Sequence, residues 1–211
     1  MPAVAPRRPT PPAPPARVEA APVPAVSATD GVFLWTRERY DRMVEAGVLT
    51  PDDKVELIEG QIVPQMSQNE PHAVVTGLVG DALRVVFASG AHIRDEKPIA
   101  LSDLSEPEPD LAVVPGARRD YLDDHPKPDV ILLLVEVADT SLMGDRLRKA
   151  PLYAEAMIVE YWIVNIQDCV LEVHRDPAGG TYRTKTTLAA GDTVSPVHAP
   201  DARIPVADLL P

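Results

Sequence analysis

Three acids and a lysine stand where hydrolytic chemistry could be done. Asp110 lies at the mouth of the apolar run Leu111–Val114, Glu136 near the exit of the run Val130–Val137, Glu56 inside an alternating segment, and Lys149 in a helical-looking stretch beyond Glu136. If the two apolar runs are neighbouring strands, Asp110 and Glu136 present oxygens to one point. Hard divalent cations such as Mg²⁺ or Mn²⁺ take one or two carboxylates and complete their shell with water and phosphate. A lysine held over the strand end would orient and help deprotonate an attacking water, or offset charge on a pentacoordinate phosphate. Together these groups would hydrolyse a phosphodiester.

Each residue also has a plain structural reading. Asp110 follows Pro109 and could be a turn acid, and Glu56 could be an outward-facing strand residue. Asp145, Lys149 and Tyr153 recur at four-residue spacing and share a helical face, so Lys149 could belong to an ordinary surface pair with Asp145. Glu136 differs from these because its run is apolar on both strand faces. A charge buried there needs a cation or a metal. His72, at the start of a helical pattern, could be catalytic or could cap and pack locally.

The positioning elements follow from periodicity. Thr36 caps a short helix with Tyr40, Met43 and Val44 on one face and Gly47 as its stop. Residues 54–59 and 61–66 flank Gly60 as a tight hairpin. After Pro71 and His72, Val75, Leu78, Val79, Leu83 and Val86 repeat at helical spacing and predict the longest helix. Strand-like runs follow at Ala91–Arg94, Ile99–Leu101, Leu111–Val114 and Val130–Val137, the last a central strand. A helix over Gly144–Met157, a strand over Glu160–Val164 and a pair of strands around the turn at 176–180 come next. Val206–Leu210 closes the chain as a short turn. The expected class is α/β, a mixed central sheet flanked by helices with additional hairpins.

Composition narrows the function. Lys and Arg number 20 against 32 Asp and Glu, a net charge of −12, so no broad basic surface is available to coat nucleic acid. Clustered carboxylates that hold a cation are compatible with that balance. Hydrophobic residues make up 45%, enough for a buried core, and no apolar run approaches the ~20 residues of a membrane span. The single Cys169 excludes an internal disulfide and a cysteine zinc cluster, which points to a cytoplasmic protein without membrane association. Residues 1–31 are rich in Pro and Ala and read as a disordered tail, leaving 32–211 as one domain.

The strings VELIEGQIVPQM, EPEPDLAVV and VEVADTSLMGDRLRKAPLYAEAMIVEYWIVN, with His72 between the first two, occur in an order that resembles the Uma-two family, a branch of the PD-(D/E)XK nuclease fold. The resemblance runs from about Thr36 to near the C-terminus. It implies a restriction-endonuclease-like core and a metal-dependent endonuclease acting on DNA. Pro109-Asp110 would be the PD element and Glu136 the second acid, and the carbonyl of Val137 would join them on Mg²⁺ or Mn²⁺. Lys149 would be the catalytic lysine, moved from strand to helix, since Ala138 occupies the usual position two residues after the acid. Glu56 would be the acid contributed from the N-terminal part, and His72 a family histidine. Ala156-Met157 stands where the family usually carries an Ala-Gly turn, and Asn165 where it usually has aspartate. Duplex cleavage would suit a homodimer. The competing class is a nuclease-like fold without hydrolysis, serving as a binding or assembly module. A working nuclease needs a local positive rim, for which Arg94, Lys97, Arg118, Arg119, Arg146 and Arg148 are the candidates.

Overall fold

The computed structural model describes residues 31–65 and 68–211; the tail expected over 1–31 and Met66 of the expected hairpin lie outside the described residues, Gly31 excepted. Near-continuous Leu and Val makes β5 (Leu133–Ala138) the buried centre of a six-stranded mixed sheet. The sheet runs β3 (Ala91–Asp95), β4 (Leu111–Pro115), β5, β6 (Glu160–Asn165), β7 (Val170–Ala178), β8 (Thr181–Ala189). Among the described strands of the sheet only β5 and β6 pair in parallel. A parallel pair needs a crossover, and the helical run between them supplies it.

Strand alternation divides the core. Leu133, Val135 and Val137 point to one face, packing with Val75, Val79 and Leu83 of α2 (Glu70–Val86) and with Val206 and Leu209 of the closing turn. Leu134 and Ala138 point to the other, against Ala150, Tyr153 and Ala154 of α4 (Ala150–Glu155). Glu136 therefore belongs to the α4 face. Helix α2 starts at Glu70, earlier than its apolar period suggests, because the Asn69 side chain accepts from the His72 N–H at 3.1 Å. Its expected core residue Leu78 is instead 40% exposed. Helix α1 (Arg37–Glu45) has the expected Thr36 cap, and it buries Tyr40 while Val44 faces solvent. The hairpin β1 (Val55–Ile58) and β2 (Gln61–Pro64) stands apart from the main sheet, and Glu59 and Gly60 both take positive φ in its turn.

Three expectations are corrected. Ile99–Leu101 is buried but pairs with no strand; its N–H groups go to carbonyls of Pro107, Pro126 and Ser105, so a proline-framed loop satisfies the backbone that a ladder would. The apolar run from Val130 enters the sheet only at Leu133, because Pro128 opens a 3₁₀ turn through Val130. The helix expected over Gly144–Met157 spans α3 (Leu142–Gly144), a π-helical turn (Asp145–Lys149) and α4, with helical backbone throughout. The small hairpin β9 (Thr193–Val194) and β10 (Ile204–Pro205) carries no strong sequence signal.

Candidate active site

Register brings the first two acids together. Leu111 pairs with Val135 and Ala112 with Leu134, and one further step along that antiparallel ladder sets Asp110 opposite Glu136. The pleat puts both on the α4 face. The ladder ends there, and the side chain of Asp110 takes its place: the Val137 N–H donates to Asp110 Oδ2 at 2.7 Å. The N–H and C=O of a strand residue point to the same side, so the Val137 carbonyl is directed beyond the last ladder pair as well. Asp110 is not a solvated turn acid; it is 8% exposed. His72 Nε2 lies 3.2 Å from the same Oδ2, reaching across from the first turn of α2. The His72 ring thus packs on the site, and Asn69 does the capping.

Glu56 arrives from the hairpin. Glu106 N–H donates to the Leu57 carbonyl at 2.8 Å, which lays the 105–108 loop along β1, and Glu108 N–H donates to Glu56 Oε2 at 3.0 Å. Covered this way, Glu56 is buried rather than outward-facing. Lys149 Nζ stands between the acids, 2.8 Å from Glu136 Oε1 and 4.0 Å from Glu56 Oε1. Tyr153 OH donates to the same Glu136 oxygen at 2.8 Å. Asp145 is buried next to them, accepting from Ser141 Oγ at 2.6 Å. The surface pair of Asp145 with Lys149 is not formed. The π turn accounts for the missing pair: Ala150 N–H reaches back five residues to the Asp145 carbonyl, and the wider turn offsets Asp145 from Lys149, which meets Glu136 one turn ahead of Tyr153.

The electrostatics follow from burial and company. Burial opposes a charge on Lys149, but Glu136, Glu56 and Asp145 around it more than reverse this and raise its pKa, so it is a fixed cation at neutral pH. Burial drives the Glu136 pKa well up, with Lys149 pulling it back and Asp110 adding to the rise. Asp145 is raised by burial as well, against Lys149 and Ser141. Burial lowers the His72 pKa, and the hydrogen bond and charge of Asp110 overcome it for a net rise. Burial also raises Glu108, another acid of the cleft.

These groups line a cleft of about 990 Å³. Among the described residues no three His, Cys, Asp or Glu side chains are gathered as a metal cluster. The donor set on offer is of another kind. Asp110 Oδ1 and Glu136 Oε2 take no hydrogen bond from any described residue, because Val137, His72, Lys149 and Tyr153 all use the other oxygens. Two free carboxylate oxygens and a carbonyl fit the part-protein, part-water shell of a small hard cation. Of the proposed rim, Lys97 and Arg148 line the cleft, Arg146 is committed to Glu172 with Nε 3.1 Å from Oε1, and Arg94 and Arg118 line a separate hollow. Lys54 joins the rim unforeseen. Tyr153 was visible only as a helical-face neighbour of Lys149, and nothing in the spacing signals Glu108 as a backbone anchor for Glu56.

A mixed sheet flanked by helices, with two acids opposed at the end of its central antiparallel pair, is a restriction-endonuclease-like arrangement. A crystal structure described as that of a putative nuclease belonging to DUF820 from Anabaena variabilis is similar in fold, with a TM-score of 0.63 at 13% identity, covering 82% of this chain and 96% of that one. The family described as "putative restriction endonuclease", Uma2, matches residues 37–207, and the chain belongs to that family. No curated protein matches the sequence. Among the described residues no helix is long and apolar enough to cross a membrane.

Proposed function

We propose that this protein is an endonuclease that hydrolyses phosphodiester bonds of DNA with a divalent cation, Mg²⁺ or Mn²⁺, held by Asp110, Glu136 and the Val137 carbonyl. The observation that carries this reading is the lysine between acids: Lys149 Nζ, 2.8 Å from Glu136 and 4.0 Å from Glu56, at a cleft where Asp110 and Glu136 each keep one oxygen free. When bound, the cation supplies Lewis-acid stabilisation of the scissile phosphate and lowers the pKa of a coordinated water. Lys149, protonated throughout the neutral range, serves as an electrostatic and orienting group for the attacking water and the phosphate oxygens rather than as a base. Glu56, whose Oε1 faces Lys149, is the group placed to accept the proton of that water or to extend the metal shell. Asp110 is held at Oδ2 by the Val137 N–H and by His72, which leaves Oδ1 for the cation. Family membership supports the reaction class, and the cations along the cleft, Lys54, Lys97 and Arg148, support a polyanionic substrate despite the net charge of −12.

The test pairs a substrate-free measurement with a substrate one. Mn²⁺ titrated calorimetrically into the purified protein is expected to bind saturably, and Asp110→Asn and Glu136→Gln each to abolish that binding. Supercoiled and linear DNA are expected to be cut in the presence of Mg²⁺ or Mn²⁺ and at least ~100-fold more slowly by either variant. Cleavage retained in Glu136→Gln would sink the assignment of the site. Neither binding nor cleavage in the wild type would favour a nuclease-like fold used as a binding or assembly module.

A further inference from the structure

Away from the cleft, a second hollow of about 190 Å³ opens on the same face of the sheet, lined by His92, Ile93, Arg94 and Arg118. Its charge runs against the character of the chain. In a protein with 32 acids to 20 basic residues, no described carboxylate forms an ion pair with Arg94 or Arg118. Tyr121 and Arg118 act on the Arg94 guanidinium, the second a like charge, and Arg94 in turn bears on His125, a third basic group. Burial and Arg118 together hold the Arg94 pKa below its usual value, against Tyr121. Two arginines left close to each other without an acid constitute a cost that an anion would relieve.

The hollow is built. Arg94 lies over the Tyr121 ring, its carbon Cζ 5.6 Å from the ring centre, and its Nη2 donates to the Pro98 carbonyl at 3.2 Å. Its Nε is shielded from water and makes no hydrogen bond to any described residue. His92 is fixed between the Gly116 carbonyl, 3.1 Å from its Nδ1, and the Tyr121 ring, 5.5 Å centre to centre. Asp120, the nearest acid in sequence to Arg118, is engaged instead by the Ala117 N–H at 2.8 Å. An arginine preorganised on an aromatic face, with Nη1 given to no described acceptor, suits recognition of a phosphate oxygen.

Position relates this hollow to the cleft. Arg94 pairs with Ala112, two residues along β4 from Asp110 and on the same face, so their Cα atoms are separated by roughly 8 Å on strand geometry. Pro98, whose carbonyl Arg94 binds, lines the cleft on its other side. We propose that Arg94 and Arg118, with His92, form a phosphate-binding subsite that takes a backbone phosphate of the DNA strand whose scissile phosphate lies at Asp110 and Glu136. Its role as a substrate anchor rests on the nuclease reading. Its capacity to bind phosphate does not.

The full chain is studied by NMR without divalent metal, following the side-chain guanidinium resonances of Arg94 and Arg118. Inorganic phosphate, and separately a single-stranded DNA dodecamer, are titrated in. Both are expected to move these resonances saturably, with the oligonucleotide displacing phosphate. Arg118→Gln, a change on the exposed surface, is expected to weaken oligonucleotide binding about tenfold, to lower the salt dependence of that binding by about one counterion, and to leave the thermal midpoint unchanged. Arg94→Lys, which keeps the charge and loses the fork, is expected to weaken phosphate binding as well. No response to either ligand, or an oligonucleotide affinity indifferent to Arg118, overturns the subsite. A response to phosphate but none to DNA overturns its role as an anchor and identifies a site for a small phosphate. Loss of cleavage with this binding intact would count against the nuclease reading alone.

Discussion

Lys149 holds Glu136 from a helix: the Nζ–Oε1 hydrogen bond of 2.8 Å joins a π-helical turn to a buried strand. Removing the cation with Lys149→Met leaves a carboxylate in the core with only Tyr153 as donor. Breaking a buried pair from one side costs ~3–5 kcal/mol, and because Glu136 can escape by taking up a proton the expected loss is about 2–3 kcal/mol at pH 8. The pH dependence has a defined sign. A buried carboxylate whose pKa is raised binds its proton more tightly folded than unfolded, so it destabilises the fold increasingly as pH rises above its unfolded value. Losing Lys149 raises the Glu136 pKa further. The two proteins diverge only once Glu136 ionises in the wild type, so the gap between them in urea unfolding should widen toward alkaline pH, and a gap that stays flat across the whole pH range of stable folding would show that Glu136 is not the group left exposed to this cost.

Glu106 supplies a second pH test, on the far side of the same loop from Glu56. It is 4% exposed, its Oε2 has no hydrogen bond from any described residue, and burial together with Asp41 pushes its pKa up to about 8 against the partial relief of Arg37 at 3.8 Å. Between about 4.5 and 8 the folded state holds more protons here than the unfolded chain does, so stability contributed by the neutral acid drains away across that window. Glu106→Gln removes the titration. The variant should match the wild type near pH 4 and exceed it by about 2 kcal/mol at pH 9, measured by urea unfolding at both pH values. Equal stability at pH 9 would mean that Arg37 already neutralises the buried charge.

The parts legible in sequence were those governed by short-range patterns. Gly60 marks the hairpin turn, near-continuous apolar runs mark β4 and β5, and Thr36 caps its helix, whereas the Asn69 cap of α2 lies ahead of the apolar period that signals the helix. Opposition of Asp110 and Glu136 needed only that β4 and β5 be neighbours. Ile99–Leu101 misled because burial and apolar content are shared by strands and by loops that pack on a core, and only the hydrogen-bond partners separate them. The π turn was invisible for a related reason. A four-residue spacing of Asp145, Lys149 and Tyr153 predicts one face of a regular helix, whereas the extra width depends on Ala150 bonding five residues back. The Arg94 and Arg118 hollow joins residues of β3 to a 3₁₀ turn (Arg118–Tyr121), a contact set by tertiary packing alone.

Met157 carries a conformation suited to glycine. It follows the C-terminus of α4 at φ 62°, where its N–H donates to Ala154 and that of Ile158 returns to the Tyr153 carbonyl at 3.0 Å. An L-residue in the left-handed region costs ~1–2 kcal/mol, and the Met157 side chain, 59% exposed, recovers little of it by packing. Met157→Gly should therefore stabilise the protein by about 0.5–1 kcal/mol after the entropy of the freer unfolded chain is set against the gain, raising the thermal midpoint by about 2–4 °C. A lowered midpoint would mean that the methionine packs in a way the helix end requires.

The width of the π turn is itself testable, because Leu147 within it is 68% exposed and touches neither core. Deleting Leu147 lets the helix close with regular four-residue bonds and rotates everything before the deletion by about 100° relative to α4. Helix α4 is locked to the sheet by the buried Tyr153 and Ala154, so Lys149, on the C-terminal side of the deletion, keeps its reach to Glu136, while Ser141 and Asp145 on the N-terminal side must move relative to Lys149. A double-mutant cycle between Lys149→Met and Asp145→Asn should give a coupling of about 1 kcal/mol in the wild type and near zero in the deletion, with far-ultraviolet circular dichroism unchanged. Leu147→Ala, which preserves the residue count, should leave both coupling and stability within about 0.5 kcal/mol of the wild type. A deletion variant that keeps the full coupling would show that the wide turn does not set the distance of Asp145 from Lys149.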